Sequence, residues 1–258
     1  MRLMKRILSA AAVLALSASL LIGCSSGTAS SVPVSASSAA ESTVSSVEET
    51  ASSAVDENEA AAAQLLNDLT GSYQELWPVI LADEYKQTWL DDCTALMGED
   101  NAEAAFEKLS SMVTGDVYGE DAVKAYANGG GAYFCGFTNS LATLTFDGET
   151  STISGTDKDG NVLFSHTYHY IGMEPVRGLY EFESDDADSG EFTYFFLAPD
   201  TSAETYHIEF RYGSDAEALS QYDTGEYAYW LASGISTDCD QTMIDNCIEL
   251  FCTENLAG

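Results

Sequence analysis

From Ala132 to Tyr212 the chain runs as short stretches in which apolar and polar residues alternate, each closed by a cluster of glycine, aspartate or asparagine. A period of two sustained over so many segments points to strands that bury one face, because a helix of the same sequence would scatter its apolar residues around the cylinder. The pattern predicts strands at Ala132 to Phe137, Ala142 to Phe146, Thr150 to Ser154, Val162 to Ile171, Gly178 to Glu183, Glu191 to Leu197 and Glu204 to Tyr212. Asp147-Gly148 and Asp159-Gly160 stand where tight hairpin turns are needed. Seven antiparallel strands on short turns predict an up-and-down barrel or strongly curled sheet, with a sandwich as the alternative.

The flanks read as helices. Ala60 to Leu69 is rich in Ala and Leu and should end at Gly71. A second helix is expected from Glu84 to Met97, where Tyr85, Trp89, Leu90, Cys93 and Leu96 trace one face. Asp100 or Asn101 is placed to cap a third, with Ala105, Phe106, Leu109, Met112 and Val113 as its apolar stripe. Gly129-Gly130-Gly131 marks the turn from the helical to the sheet part. Beyond the strands, Ser214 is expected to cap a short helix through Leu219. Cys239 or Asp240 should start a terminal helix burying Met243, Ile244, Cys247, Ile248 and Phe251. The fold class is therefore mainly β with flanking helices, with an antiparallel barrel as the leading architecture.

Arg2, Lys5 and Arg6 precede an apolar run from Ile7 to Leu21, the layout of a secretory signal. The run is too short and wrongly flanked for a good membrane span. It ends in Leu21-Ile22-Gly23-Cys24, which resembles a bacterial lipobox. Residues 1–23 are accordingly read as a lipoprotein signal peptide and Cys24 as the lipidation site. Residues 24–58 form a tether of Ser, Ala, Thr, Val and Glu with too little apolar bulk to order itself, and residues 59–258 form one globular domain. This places the domain outside the cytoplasm, lipid-anchored to a bacterial cell membrane.

Charge narrows the partners. The whole chain carries a formal −33, and three of its nine basic residues precede Cys24 with no acidic residue among them, so the remainder balances six basic against 42 acidic residues, or −36. Nucleic acid and anionic head groups are repelled by such a field, whereas cations are concentrated near it. Five cysteines follow Cys24, namely Cys93, Cys135, Cys239, Cys247 and Cys252, an odd number that cannot all pair within the chain. Cys247 and Cys252, five apart on the terminal helix, should point to different faces. Most are read as buried thiols, with room for one disulfide.

Three blocks resemble the ZinT (YodA-like) family of extracytoplasmic zinc-recruiting, calycin-like proteins. They are Gly71-Ser72-Tyr73-Gln74-Glu75-Leu76-Trp77-Pro78-Val79-Ile80, then the stretch from Val176-Arg177-Gly178 through Phe196-Leu197-Ala198-Pro199 to Tyr206-His207-Ile208 and Gly213-Ser214-Asp215, and the cluster Tyr227, Tyr229 and Trp230 before the last helix. The resemblance implies a zinc site of three histidines. Mapped onto this chain, the first falls at or next to Phe195, the second at Thr205 and the third at His207, which alone is a histidine. Three imidazoles and a water suit a tetrahedral zinc with an open position.

Replacement donors are sought nearby. His166 and His169 lie on a neighbouring predicted strand, but a spacing of three sends them to opposite faces. Asp200, Glu204 and Glu209 offer oxygen, which favours a weaker site or a harder ion such as manganese or calcium. Thr205, His207, Glu209 and Arg211 alternate with Tyr206, Ile208, Phe210 and Tyr212, so the aromatic set should face the core and the polar set a cleft or solvent. The expected function is a lipoprotein that binds a divalent metal ion, zinc first, for delivery to a metal ABC importer or its binding protein. The alternative is a metal-free lipocalin-like barrel for a small ligand or a protein partner. No Gly-x-Ser-x-Gly, His-Glu-x-x-His or phosphate-cradling glycine loop is present, so no enzyme is expected.

Overall fold

The computed structural model describes residues 57–199 and 207–256. The expected signal, the lipidation site Cys24, the tether up to residue 56, and Glu204 with its neighbours lie outside the described residues. The described chain opens with helix α1 over residues 57–68, so helical structure begins two residues before the expected end of the tether.

Eight antiparallel strands close into a barrel in sequence order: β1 (Gly71–Glu75), β2 (Thr143–Asp147), β3 (Thr152–Thr156), β4 (Val162–Met173), β5 (Tyr180–Ser184), β6 (Tyr194–Leu197), β7 (His207–Gly213) and β8 (Ala232–Ser236), with β8 returning to β1. Closure leaves no sheet edge exposed. Six of the expected strands are present with ends moved by up to three residues. The expected strand at Ala132 to Phe137 is a correction: Phe134 makes only isolated bridges to Thr114 and Trp230. The Tyr133 and Phe134 amides donate to the Met112 and Tyr229 carbonyls, and the Phe134 and Cys135 carbonyls accept from Leu231 N and Ser233 N, without forming a ladder of the barrel. The two strands that complete the barrel, β1 and β8, were not expected.

The remaining helices are α2 (Leu76–Ile80), α3 (Lys86–Met97), α4 (Ala102–Val113), α5 (Glu120–Ala125), α6 (Ala216–Leu219) and α7 (Gln241–Leu256). Two capping expectations are corrected. Neither Asp100 nor Asn101 caps α4, because residues Glu99–Asn101 form a 3₁₀ turn and the Asn101 amide donates backward to the Met97 carbonyl. On α6 the cap is Asp215 rather than Ser214, accepting from Ala218 N at 3.1 Å. Asp240 caps α7 as expected, accepting from Met243 N at 3.0 Å.

Two cores sit side by side. Inside the barrel, Leu144, Phe146, Ile153, Phe164, Phe182, Phe195, Phe210 and Tyr212 pack together. Their rings stack closely: Phe164 lies 4.0 Å from Phe192 and Tyr212 stands edge-on to Trp230 at 5.0 Å. Each such ring contributes about 2–3 kcal/mol of burial. One end is closed by α1, whose Leu65 and Leu66 join this core with Leu69 just after it. The approach is close enough that a Cβ on Gly148, in the β2–β3 turn, would stand 2.4 Å from the Asn67 Cα. Outside the barrel, α2, α3, α4 and α7 form a second core of Trp77, Ile80, Trp89, Leu109, Cys247 and Ile248 against Ile235 of β8. The candidate site lies in this second layer, between β7 and the helices.

Candidate functional site

Strand β7 sorts its residues by parity. Ile208, Phe210 and Tyr212 enter the barrel core, so His207, Glu209 and Arg211 point outward. The outward face is graded: His207 and Glu209 are half-buried and Arg211 is fully buried. Helices α2 and α7 cover its first half, and the 219–230 loop covers Arg211. His207 pairs across the ladder with Ile235 and Glu209 with Ser233.

A cavity of about 30 Å³ lies beside His207 and Glu209, walled by Leu76, Trp77 and Ile80 of α2 and by Cys247, Leu250, Phe251 and Glu254 of α7. Such a volume suits one water molecule or one ion. Cys247 and Glu254 are seven residues apart, two helical turns, which brings both to the β7 side of α7. One imidazole, one thiol and two carboxylates therefore border a single small hollow. Among the described residues, no three His, Cys, Asp or Glu side chains stand close enough together to hold a metal ion as they are. The donors ring the space without converging on a point.

The electrostatics of this wall favour neutral thiols. Burial pushes the Cys247 thiol up to about 12, and the Glu209 carboxylate adds to the effect. Cys135 rises to about 12 for the same two reasons. Both sulfurs are consequently protonated at neutral pH. Beside Cys135 lie Trp77 and Ser233, whose buried indole nitrogen and hydroxyl make no hydrogen bond among the described residues. Sulfur is a poor acceptor for either.

His166 and His169 are not brought to this place. His166 lies on the inward side of β4, stacked on Phe164, with Nδ1 2.7 Å from Asp186. His169 faces outward, its Nδ1 2.7 Å from Asp185 and its Nε2 4.0 Å from Glu183. Strands β5 and β6 separate β4 from β7, and three ladder steps amount to about 14 Å. The opposite-face expectation for this pair holds, and each ring has its own carboxylate. Phe195, the mapped first position, points into the barrel against Tyr168 and Tyr212, on the other side of the wall from His207. Thr205 lies outside the described residues.

Cys247 and Glu254 are the site residues that sequence reading missed. Their signal was available, as a donor pair at helical spacing on the terminal helix, but nothing in linear order says that α7 lies over β7. A second hollow of about 700 Å³ is bordered by Asp116, Tyr118, Glu120, Asp121, Lys124 and Glu226. It contains none of the expected site residues.

No protein-family model matches the chain, and no curated protein matches it. Among solved structures it is similar to the Zn(II)-bound ZinT-like domain of Streptococcus pneumoniae AdcA, with 16% identity over 71% of this chain and 89% of that chain and a TM-score of 0.45. It is also similar to Zn(II)-bound AdcA from Streptococcus pneumoniae, with 16% identity over 72% of this chain and 35% of that chain and a TM-score of 0.41. Neither likeness assigns a role to a residue of this chain.

Proposed function

We propose that this chain is an extracytoplasmic, lipid-anchored binding protein, not an enzyme, that captures a divalent cation beside His207 and passes it to a metal importer of the same envelope. The observation that carries the reading is the placement of His207, Glu209, Cys247 and Glu254 around one hollow the size of an ion. Nitrogen, oxygen and sulfur donors together suit zinc. The strongly acidic composition supports cation capture by raising the local cation concentration. The sequence resemblance supports His207 as the anchoring donor. Because the donors must be drawn together, and a buried thiol must release its proton, the affinity expected is on the order of micromolar, not nanomolar.

A ligand held inside the barrel is disfavoured by the packed rings that fill it. Zinc and manganese calorimetry on the chain from Ser25 onward tests the reading. One zinc site is expected, weakened roughly tenfold or more in His207→Ala and less in Glu209→Gln. Binding should also weaken as pH falls, since protons compete with the ion for the donor atoms. No heat with either ion, or binding unchanged in His207→Ala, overturns it.

A further inference from the structure

Helices α3 and α7 pack along each other, and at their contact the Cys93 and Cys252 sulfurs stand 4.0 Å apart. Both residues are fully buried. Among the described residues no other pair of cysteine sulfurs is in such contact, and Cys135, Cys239 and Cys247 each lie elsewhere in the helical layer. We propose that Cys93 and Cys252 are joined by a disulfide in the exported protein, tying α7 to α3.

The geometry favours this pair. A disulfide needs its sulfurs about 2.05 Å apart. Closing from 4.0 Å asks each sulfur to move by roughly 1 Å, within reach of small side-chain rotations. Neither thiol has another hydrogen-bond partner to give up, since their contact is with each other. The pair is separated by 159 residues, a span that contains seven strands of the barrel. A cross-link across so long a loop restricts the unfolded chain strongly.

The chemistry is thiol–disulfide exchange with a disulfide-form oxidant, either a small molecule or an oxidoreductase. Cys93 attacks the oxidant disulfide as thiolate, forming a mixed disulfide and releasing one thiol. Cys252 then attacks the Cys93 sulfur and releases the second. Two protein thiols and one oxidant disulfide become one protein disulfide and two oxidant thiols. Burial raises the pKa of both thiols, so little thiolate forms in the folded state. The bond must therefore form while α7 is still undocked, and once made it is shielded from reductants. Cys247 and Glu254 of the same helix border the His207 hollow, but the bond does not rest on the proposed cation site.

The test is peptide mapping of the exported full chain, alkylated under denaturing conditions without reductant. One cross-linked species is expected, linking the Cys93 and Cys252 peptides and lighter by two hydrogens, with Cys135, Cys239 and Cys247 alkylated. Alkylation of all five thiols, or a different pairing, overturns the proposal. As a second reading, reduction should lower Tm by roughly 10 °C in the natural chain and leave Tm unchanged in Cys93→Ala/Cys252→Ala. An equal fall in both proteins overturns it as well. Neither measurement involves a metal, so failure here is distinct from failure of the cation site.

Discussion

Arg211 shows how far a side chain's role can depart from its place in a pattern. It occupies the outward face of β7, the same polar row as His207 and Glu209, yet it is fully buried. Its guanidinium donates to the carbonyls of Leu219, Gln221 and Tyr227, pinning the loop that follows α6 onto the barrel. The face of Tyr222 lies 4.4 Å from it, and Arg177 stands 4.3 Å from the same ring. Glu174, also fully buried, accepts from Val176 N and Arg177 N at 2.7 Å each, and Tyr222 donates to it at 3.4 Å. Two arginines pack on one tyrosine with one carboxylate nearby, a locally positive cluster inside a chain of −33. Arg211→Met should leave three carbonyls unpaired and cost about 3 kcal/mol, read as a lower urea midpoint. Arg211→Lys should recover little of it, because one ammonium cannot serve three divergent acceptors as a planar fork does. Alternation along β7 made the outward direction of Arg211 legible. Its burial was not, because nothing local says that carbonyls eight to sixteen residues later are aimed at it.

Among the elements, β2, β3 and β4 alternate buried with more exposed positions along their length, and that period is what made them legible. Every residue of β8 is buried, one face by the barrel and the other by the helices, and its sequence Ala-Ser-Gly-Ile-Ser has no apolar period to read. Likewise β1 offers a single buried apolar residue, Tyr73, beneath a glycine that sequence reading took only for the end of a helix. The converse case is Ala132 to Phe137, where alternation is present but the hydrogen bonds are scattered over Met112, Tyr229, Leu231 and Ser233. The α3–α7 contact adds a pH dependence that follows from its charges. Asp92 has its carboxyl pushed up by burial first, then by Glu249, Asp245 and Asp91, and its Oδ2 has no hydrogen-bond partner among the described residues. A raised carboxyl pKa means the folded state holds the proton more tightly than the unfolded one. Its contribution is therefore fully present below the unfolded pKa and is lost as pH rises through the folded value. Asp92→Asn should raise Tm at neutral pH by roughly 2–4 °C and change it little near pH 3.5, as seen by thermal unfolding at the two pH values. A stabilisation equal at both would show that charge is not the cause.

Across the barrel and its helices, the hollow proposed to take the cation lies outside the barrel wall. The barrel interior is occupied by packed aromatic rings, while α2 and α7 lean on the β7–β8 wall and leave a gap beside His207. Strand period gave the mainly β class and much of the barrel, and His207 and Glu209 emerged from the same row of residues. Cys247 and Glu254 stayed hidden because the packing of a C-terminal helix on a strand more than thirty residues earlier is decided by two apolar surfaces meeting, a tertiary event with no local signature. The most direct test of the central claim is an NMR titration of the chain from Ser25 onward with zinc, following the ring nitrogens of all three histidines. Capture at the hollow predicts a large, saturable shift at His207, with His166 and His169 holding their positions beside Asp186 and Asp185. Shifts confined to His166 or His169, or no shift at His207 at saturating zinc, would contradict it.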